Sequence, residues 1–165
     1  VVAIGSSAGF VEPLEATSIG STIQQAFCLN QLLPSLDKKS FNKHTEYLYE
    51  NLMEFVHAHY LTKRQDTEFW KDVQNLPIME GVQELMEIAK IRMIRNSDFT
   101  IGWHMFRAPN WVILFHALGL FNTENIKKEL NASHVLKSFA EMEHEELFSF
   151  SKEYIDHDQV IKELI

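Results

Sequence analysis

A single cysteine, Cys28, stands in a chain of 165 residues. No disulfide framework can be built within the chain, and a reducing, cytoplasmic compartment fits it. Positive charge is also short, with 15 lysines and arginines against 23 aspartates and glutamates and a formal net charge of −8. Nucleic-acid binding needs a basic stripe that displaces counterions from phosphate, and this balance argues against it. There is no basic amphipathic stretch for a membrane surface, and no apolar run approaches the roughly 20 residues of a membrane-spanning helix. Internal repeats, low-complexity segments and linkers are missing as well. Hydrophobic residues nevertheless make up 45% of the chain, enough to build a core rather than a disordered segment.

No segment after the first few positions is rich enough in β-branched residues to read as a partner strand. Val1-Val2-Ala3-Ile4-Gly5 reads as a buried strand that runs at once into a Gly/Ser turn. Such a strand needs partners, and no later segment offers one. The sheet is therefore expected to precede Val1, and the chain, which has no initiator methionine, reads as a fragment. The expected fold is mainly α, with one N-terminal strand and a helical domain.

Helical periodicity supports that reading. Ile19, Ile23, Ala26, Phe27 and Leu33 predict a helix from about residue 16 to 33, stopped by Pro34. Ser40 is the expected N-cap of a second helix, in which Tyr47, Leu48, Leu52, Phe55, Val56 and Tyr60 form the stripe. Phe69-Trp70 marks a short helix. Pro77 is expected to open another that ends near Asn96. Residues 97–110 look irregular. A helix from Asn110 to Leu118 should end at Gly119, and Thr123 should open one more. Helices over 133–154 and into Ile161 complete the set.

The segment from Ala3 to Ile19, Ala-Ile-Gly-Ser-Ser-Ala-Gly-Phe-Val-Glu-Pro-Leu-Glu-Ala-Thr-Ser-Ile, carries the chemistry. It reads as strand, small-residue turn and helix start. Gly5, Ala8 and Gly9 allow a ligand to approach the backbone closely. The amides near Thr17 and Ser18 fall at the helix start, where free N–H groups and the dipole favour an anion. Glu15 just before them is either a capping carboxylate or an acid/base.

This segment resembles the stretch G-[LS]-[AS]-[AS]-G-F-[LV]-E-P-L-E-[SA]-T-[GS]-I of flavin-dependent tryptophan halogenases. Phe55-Val56-His57-Ala58-His59-Tyr60-Leu61-Thr62, with Arg64, Asp66, Thr67, Phe69 and Trp70, is similar to a second stretch of that family. Asn110-Trp111 and Leu118-Gly119-Leu120 resemble its substrate-side helix. The resemblance covers most of residues 1–120.

It implies the C-terminal portion of an α/β FAD-binding, monooxygenase-like fold. Residues 1–20 would end the FAD- and halide-binding domain, and residues 21–165 would form the helical substrate-side domain. In the family, reduced FAD delivered by a flavin reductase reacts with dioxygen and chloride or bromide, and the oxidant halogenates an aromatic, usually indole-like, substrate. By position, Glu15 matches the catalytic glutamate, and Thr17 and Ser18 match the residues whose amides bind halide. Gly5, Ala8, Gly9, Phe10, Pro13 and Ile19 match positions near the flavin. Trp103, Phe106 and Asn110 fall on the substrate side.

The departures are as informative. Ser18 replaces the commoner glycine, and Met105-Phe106 stand where tryptophan-specific members carry Phe-Trp. The family's catalytic lysine, Gly-x-Gly-x-x-Gly and Trp-x-Trp-x-Ile-Pro are absent from this sequence. The fragment is accordingly expected to be inactive alone. A flavin-dependent aromatic hydroxylase, in which Ser6 would stand in place of an aspartate, and a non-catalytic helical module are the rival readings.

Three further features invite chemistry and read more simply as structure. His57 and His59 diverge on a helix, so hydrogen-bonded imidazoles are expected rather than a metal pair. Glu141-x-x-His144 lacks the second pair that a di-iron site needs. Cys28 should be core packing. No metal is expected.

Overall fold

The computed structural model describes residues 1–99 and 104–133. Two compact units divide the chain, Val1–Asn122 and Thr123–Ile165. The first contains helices α1 (Thr17–Leu32), α2 (Lys38–His59), α3 (Glu68–Val73), α4 (Glu80–Ile91) and α5 (Ala108–Ala117). Helix α6 (Thr123–Ala132) lies in the second. The helices expected over 133–154 and into Ile161 lie outside the described residues, as does Glu141-x-x-His144.

The expected N-terminal strand does not form: among the described residues there is none. Ile4 has extended backbone, at φ −137° and ψ 157°, but no neighbouring strand pairs with it, and Val1, Val2 and Ala3 are exposed. An extended segment becomes a strand only through a partner's hydrogen bonds. Instead the chain turns at Gly5–Ser7 in a single 3-10 turn.

Helix α2 is the spine. Its N-cap is Asp37, whose carboxylate accepts from the Ser40 amide at 3.0 Å. The sequence pointed to Ser40, but an aspartate three residues earlier caps equally well and adds a turn. That hydrogen bond to Ser40 holds the Asp37 carboxyl below its usual range. Helix α1 packs along α2, and α4 and α5 pack against α2 further on.

Leu48, Leu52, Phe55 and Ala58 of α2 meet Val82, Leu85 and Ala89 of α4 and Trp111 and Phe115 of α5 in one core. Phe55 is central. It stacks on Phe106 at 3.8 Å between centroids and meets Trp111 edge-on at 5.0 Å. Asn51 clasps the backbone of Phe106 on both sides: its Oδ1 accepts the Phe106 amide at 2.9 Å, and its Nδ2 donates to the Phe106 carbonyl at 3.3 Å.

Helix ends follow local chemistry. Helix α4 begins at Glu80, not at Pro77, and stops at Ile91, because Arg92 adopts extended backbone. The Arg92 guanidinium then grips Asp98 through two hydrogen bonds, at 2.7 and 2.6 Å, and this lowers the Asp98 carboxyl. Helix α5 starts two residues before Asn110, since Pro109 is tolerated in the first helical turn. It ends as expected at Gly119, with φ 67°. Leu120 donates to the Phe115 carbonyl at 2.9 Å and Gly119 to His116 at 3.0 Å, the paired bonds of a Schellman cap.

Helix α1 is inverted relative to a normal surface helix. Its buried residues are Thr17, Ser21, Gln25 and Cys28. Its apolar positions Ile19, Ile23 and Phe27, spaced i, i+4 and i+8, are 68%, 50% and 62% exposed. The buried thiol of Cys28 is core packing as expected, and burial pushes its pKa up.

Trp111 is fully buried, so Trp111→Ala should lower stability by about 3–5 kcal/mol. Denaturant melts of the two proteins check this, and a loss under about 1 kcal/mol would contradict the placement of the core.

Candidate active site

The turn before α1 is built on Gly5. Its φ is +59°, a region that favours glycine. Its buried amide donates to Gln25 Oε1 of α1 at 2.7 Å. Tyr49 of α2 closes the turn from the other side, donating its hydroxyl to the Gly9 carbonyl at 2.8 Å and more weakly to the Gly5 carbonyl at 3.3 Å. Burial pushes the Tyr49 phenol up, so it stays a neutral donor. The polar face of α1 is thus explained: it is buried because it carries the turn.

The small residues of the turn serve the protein's own packing. A Cβ at Gly5 would lie 2.5 Å from Thr22 Oγ1, and one at Gly9 would lie 3.0 Å from the Tyr49 ring. The expected flavin neighbours divide accordingly. Gly5 is buried and Gly9 half-buried, whereas Ala8, Phe10, Pro13 and Ile19 are exposed.

Downstream the backbone twists sharply. Glu15 at φ 62°, ψ 12° and Ala16 at φ 49°, ψ 36° are consecutive non-glycine residues in left-handed conformation. Each costs about 1–2 kcal/mol relative to right-handed backbone. The pair stands immediately before Thr17, the first residue of α1. Ala16 is the N-cap and supplies no side-chain hydrogen bond to the helix start. Thr17 is buried and Ser18 half-buried.

The twist sends the Glu15 side chain toward the end of α2. Glu15 Oε1 lies 3.1 Å from His59 Nε2, and His59 Nδ1 lies 2.8 Å from the Phe55 carbonyl. Beside them Tyr60 donates its hydroxyl to Glu12, 2.9 Å from either carboxylate oxygen. That bond to Glu12 raises the Tyr60 pKa. The N-terminal segment is therefore tied to α2 at Tyr49 and His59 and to the residue that follows it, Tyr60.

Sequence reasoning placed Glu15, Thr17 and Ser18 together, and they are adjacent here. It missed Gln25, Tyr49, His59 and Tyr60 as their supports. His59-Tyr60 lie in the second family-like stretch, but no spacing rule links residues 44 and 48 positions apart. Among the histidines, His59 is the hydrogen-bonded imidazole expected. His57 Nε2 is buried without a partner, and burial lowers its pKa.

On the substrate side, Phe106 is buried in the core against Phe55. Asn110 is exposed, and its Oδ1 accepts the Arg107 amide at 3.0 Å as part of the α5 cap. Trp103 lies outside the described residues. Among the described residues no group of His, Cys, Asp or Glu is arranged to hold a metal, and no helix is long and apolar enough to cross a membrane.

Residues 1–134 match the profile of the tryptophan halogenase family. The chain belongs to that family. It is 36% identical over 95 residues, 53% of its length, to tryptophan 7-halogenase KtzQ of Kutzneria sp. (strain 744). It is 33% identical over 105 residues, 58% of its length, to tryptophan 7-halogenase RebH of Lentzea aerocolonigenes. These matches span 17% and 19% of the two relatives. The structure is similar to BrvH, a flavin-dependent halogenase from Brevundimonas sp. BAL3, with a TM-score of 0.75 and 29% identity. That similarity covers 99% of this chain and 34% of BrvH.

Gly5→Ala should destabilise the protein by about 2 kcal/mol or more, from left-handed strain plus the clash with Thr22. Adding Thr22→Ala should recover part of the loss and leave the backbone strain. Melting curves of the single and double variants check this, and two independent, additive losses would contradict the contact.

Proposed function

We propose that this chain is the C-terminal portion of an FAD-dependent halogenase that chlorinates or brominates an aromatic, indole-like substrate. The observation that carries the reading is the Glu15–Ala16 twist. It sets a carboxylate beside a helix start that no side chain caps. A carboxylate and a row of amides are the two things such a reaction needs side by side, one for a proton and one for a halide ion. Thr17 and Ser18 supply the amides; a serine at the second position keeps the N–H group.

The exposed residues fit a flavin ring. Phe10 and Ile19, at 60% and 68% exposure, together with Ala8 and Pro13, offer apolar surface next to the amides. The phosphates of FAD find no glycine loop in this sequence, so residues 1–20 would form only the end of an FAD- and halide-binding domain. Residues 21–165 would form the helical substrate-side domain. The outward face Ile19, Ile23 and Phe27 is where the larger remainder of the fold would pack, which accounts for the inversion of α1.

Bound reduced FAD, supplied by a flavin reductase, provides with dioxygen and halide the electrophilic halogen. This chain's part follows from its own groups. The Thr17 and Ser18 amides hold the halide by dipole and hydrogen bond. When the ring carbon has taken up halogen, the Glu15 carboxylate removes the proton from that carbon and restores aromaticity. Trp103 and Asn110 are the substrate-side residues of this reading, whereas Phe106 fills the core behind that side against Phe55.

In the full-length enzyme with FAD, a flavin reductase, bromide and indole, Glu15→Gln should cut bromoindole formation by about 10²-fold. Unchanged turnover would remove Glu15 from the reaction. A hydroxylated product with no halogenated one would overturn the halogenase reading.

A further inference from the structure

His59 stands 44 residues from Glu15 and meets it at the end of α2. The two hydrogen bonds of its ring fix its proton inventory. The Phe55 carbonyl oxygen can only accept. At 2.8 Å from it, Nδ1 must therefore carry a hydrogen. A neutral imidazole has one N–H, so Nε2 is then a bare lone pair. Nε2 nevertheless lies 3.1 Å from Glu15 Oε1. Two lone pairs at that distance repel, and one proton between them binds.

We propose that His59 is the positioning residue of Glu15 and its proton-exchange partner, with one acidic proton held between Nε2 and Oε1. This rests on Glu15 being the group that takes the substrate's proton. The resting pair is imidazolium and carboxylate, or the same proton drawn across to the oxygen. The carboxylate accepts the ring proton at Oε2. The Nε2 proton then passes to water, and the substrate's proton moves into its place between the two residues. One proton enters the pair and one leaves, and no further reactant is needed.

The surroundings suit this role. Nδ1 is bonded to the Phe55 carbonyl, and the Phe55 ring meets the His59 ring edge-on at 4.9 Å, two contacts that orient the imidazole. The Glu12 carboxylate accepts from the Tyr60 hydroxyl, and Glu15 is the carboxylate bonded to His59. The His59 side chain is 21% exposed and that of Glu15 44%, enough for water to take the released proton.

The test uses the full-length enzyme. His59→Gln keeps a donor for Glu15 but cannot give or take a proton at neutral pH. It should lower kcat for indole bromination about tenfold, the scale of one hydrogen bond to a charged group, with KM unchanged. Glu15→Gln/His59→Gln should be no slower than Glu15→Gln alone, since the two act as one unit. If Glu15→Gln is slow while His59→Gln keeps wild-type kcat, or if the two losses multiply, His59 has no such role although Glu15 does. If Glu15→Gln itself is harmless, the catalytic reading of Glu15 fails first. A second arm is independent of turnover: nitrogen NMR of histidine-labelled protein should show Nδ1 of His59 carrying a hydrogen, with the Nε2 signal moved by Glu15→Gln. A bare Nδ1, or signals indifferent to Glu15→Gln, would overturn the proposal.

Discussion

Two left-handed residues without a glycine between them, Glu15 and Ala16, set the geometry of everything around them. Such backbone persists only where the surroundings over-determine it. Here they do so from both sides. Upstream, the turn at Gly5 is bonded to Gln25 and Tyr49. Downstream, Thr17 is buried at the first position of α1. The chain between these anchors is short, and it must reverse to join them. The same reversal puts the Glu15 carboxylate on His59 and leaves the first amides of α1 without a side-chain cap.

The helices behind the turn act as its foundation. Gln25 and Tyr49 belong to α1 and α2, and His59 sits at the last residue of α2, one turn beyond Phe55. Phe55 in turn is packed between Phe106 and Trp111. The aromatic core and the candidate site thus share a residue: the carbonyl of Phe55 orients His59 while its ring fills the core. Rigid support of this kind is what holds a reactive group within a fraction of an ångström of where it must act.

Much of this was legible in the sequence, and the failures have physical causes. The helices were readable from their apolar spacing, and Gly119 from its place after α5. The ends at Asp37 and Glu80 were misplaced by a few residues because alternative caps compete locally. The N-terminal strand was a fair reading of Val1-Val2-Ala3-Ile4, but strand formation depends on a partner, which a local pattern cannot supply. The glycines at 5 and 9 read in the sequence as clearance for a ligand; the fold adds that their missing side chains make room for Thr22 and Tyr49. The pairing of Glu15 with His59 spans 44 residues and has no signature in spacing; only the fold reveals it. The inversion of α1 was hidden because Ile19, Ile23 and Phe27 look like a core stripe whichever way they face.

The proposed site is a carboxylate beside a helix start that no side chain caps, brought together by the twist at Glu15 and Ala16. Diffraction from crystals of the intact protein soaked in bromide, collected at the bromine absorption edge, tests it most directly. An anomalous peak seated on the Thr17 and Ser18 amides, with Glu15 still on His59, is the expected result. Bromide bound elsewhere with those amides bare, or closed by a protein group, would contradict the account.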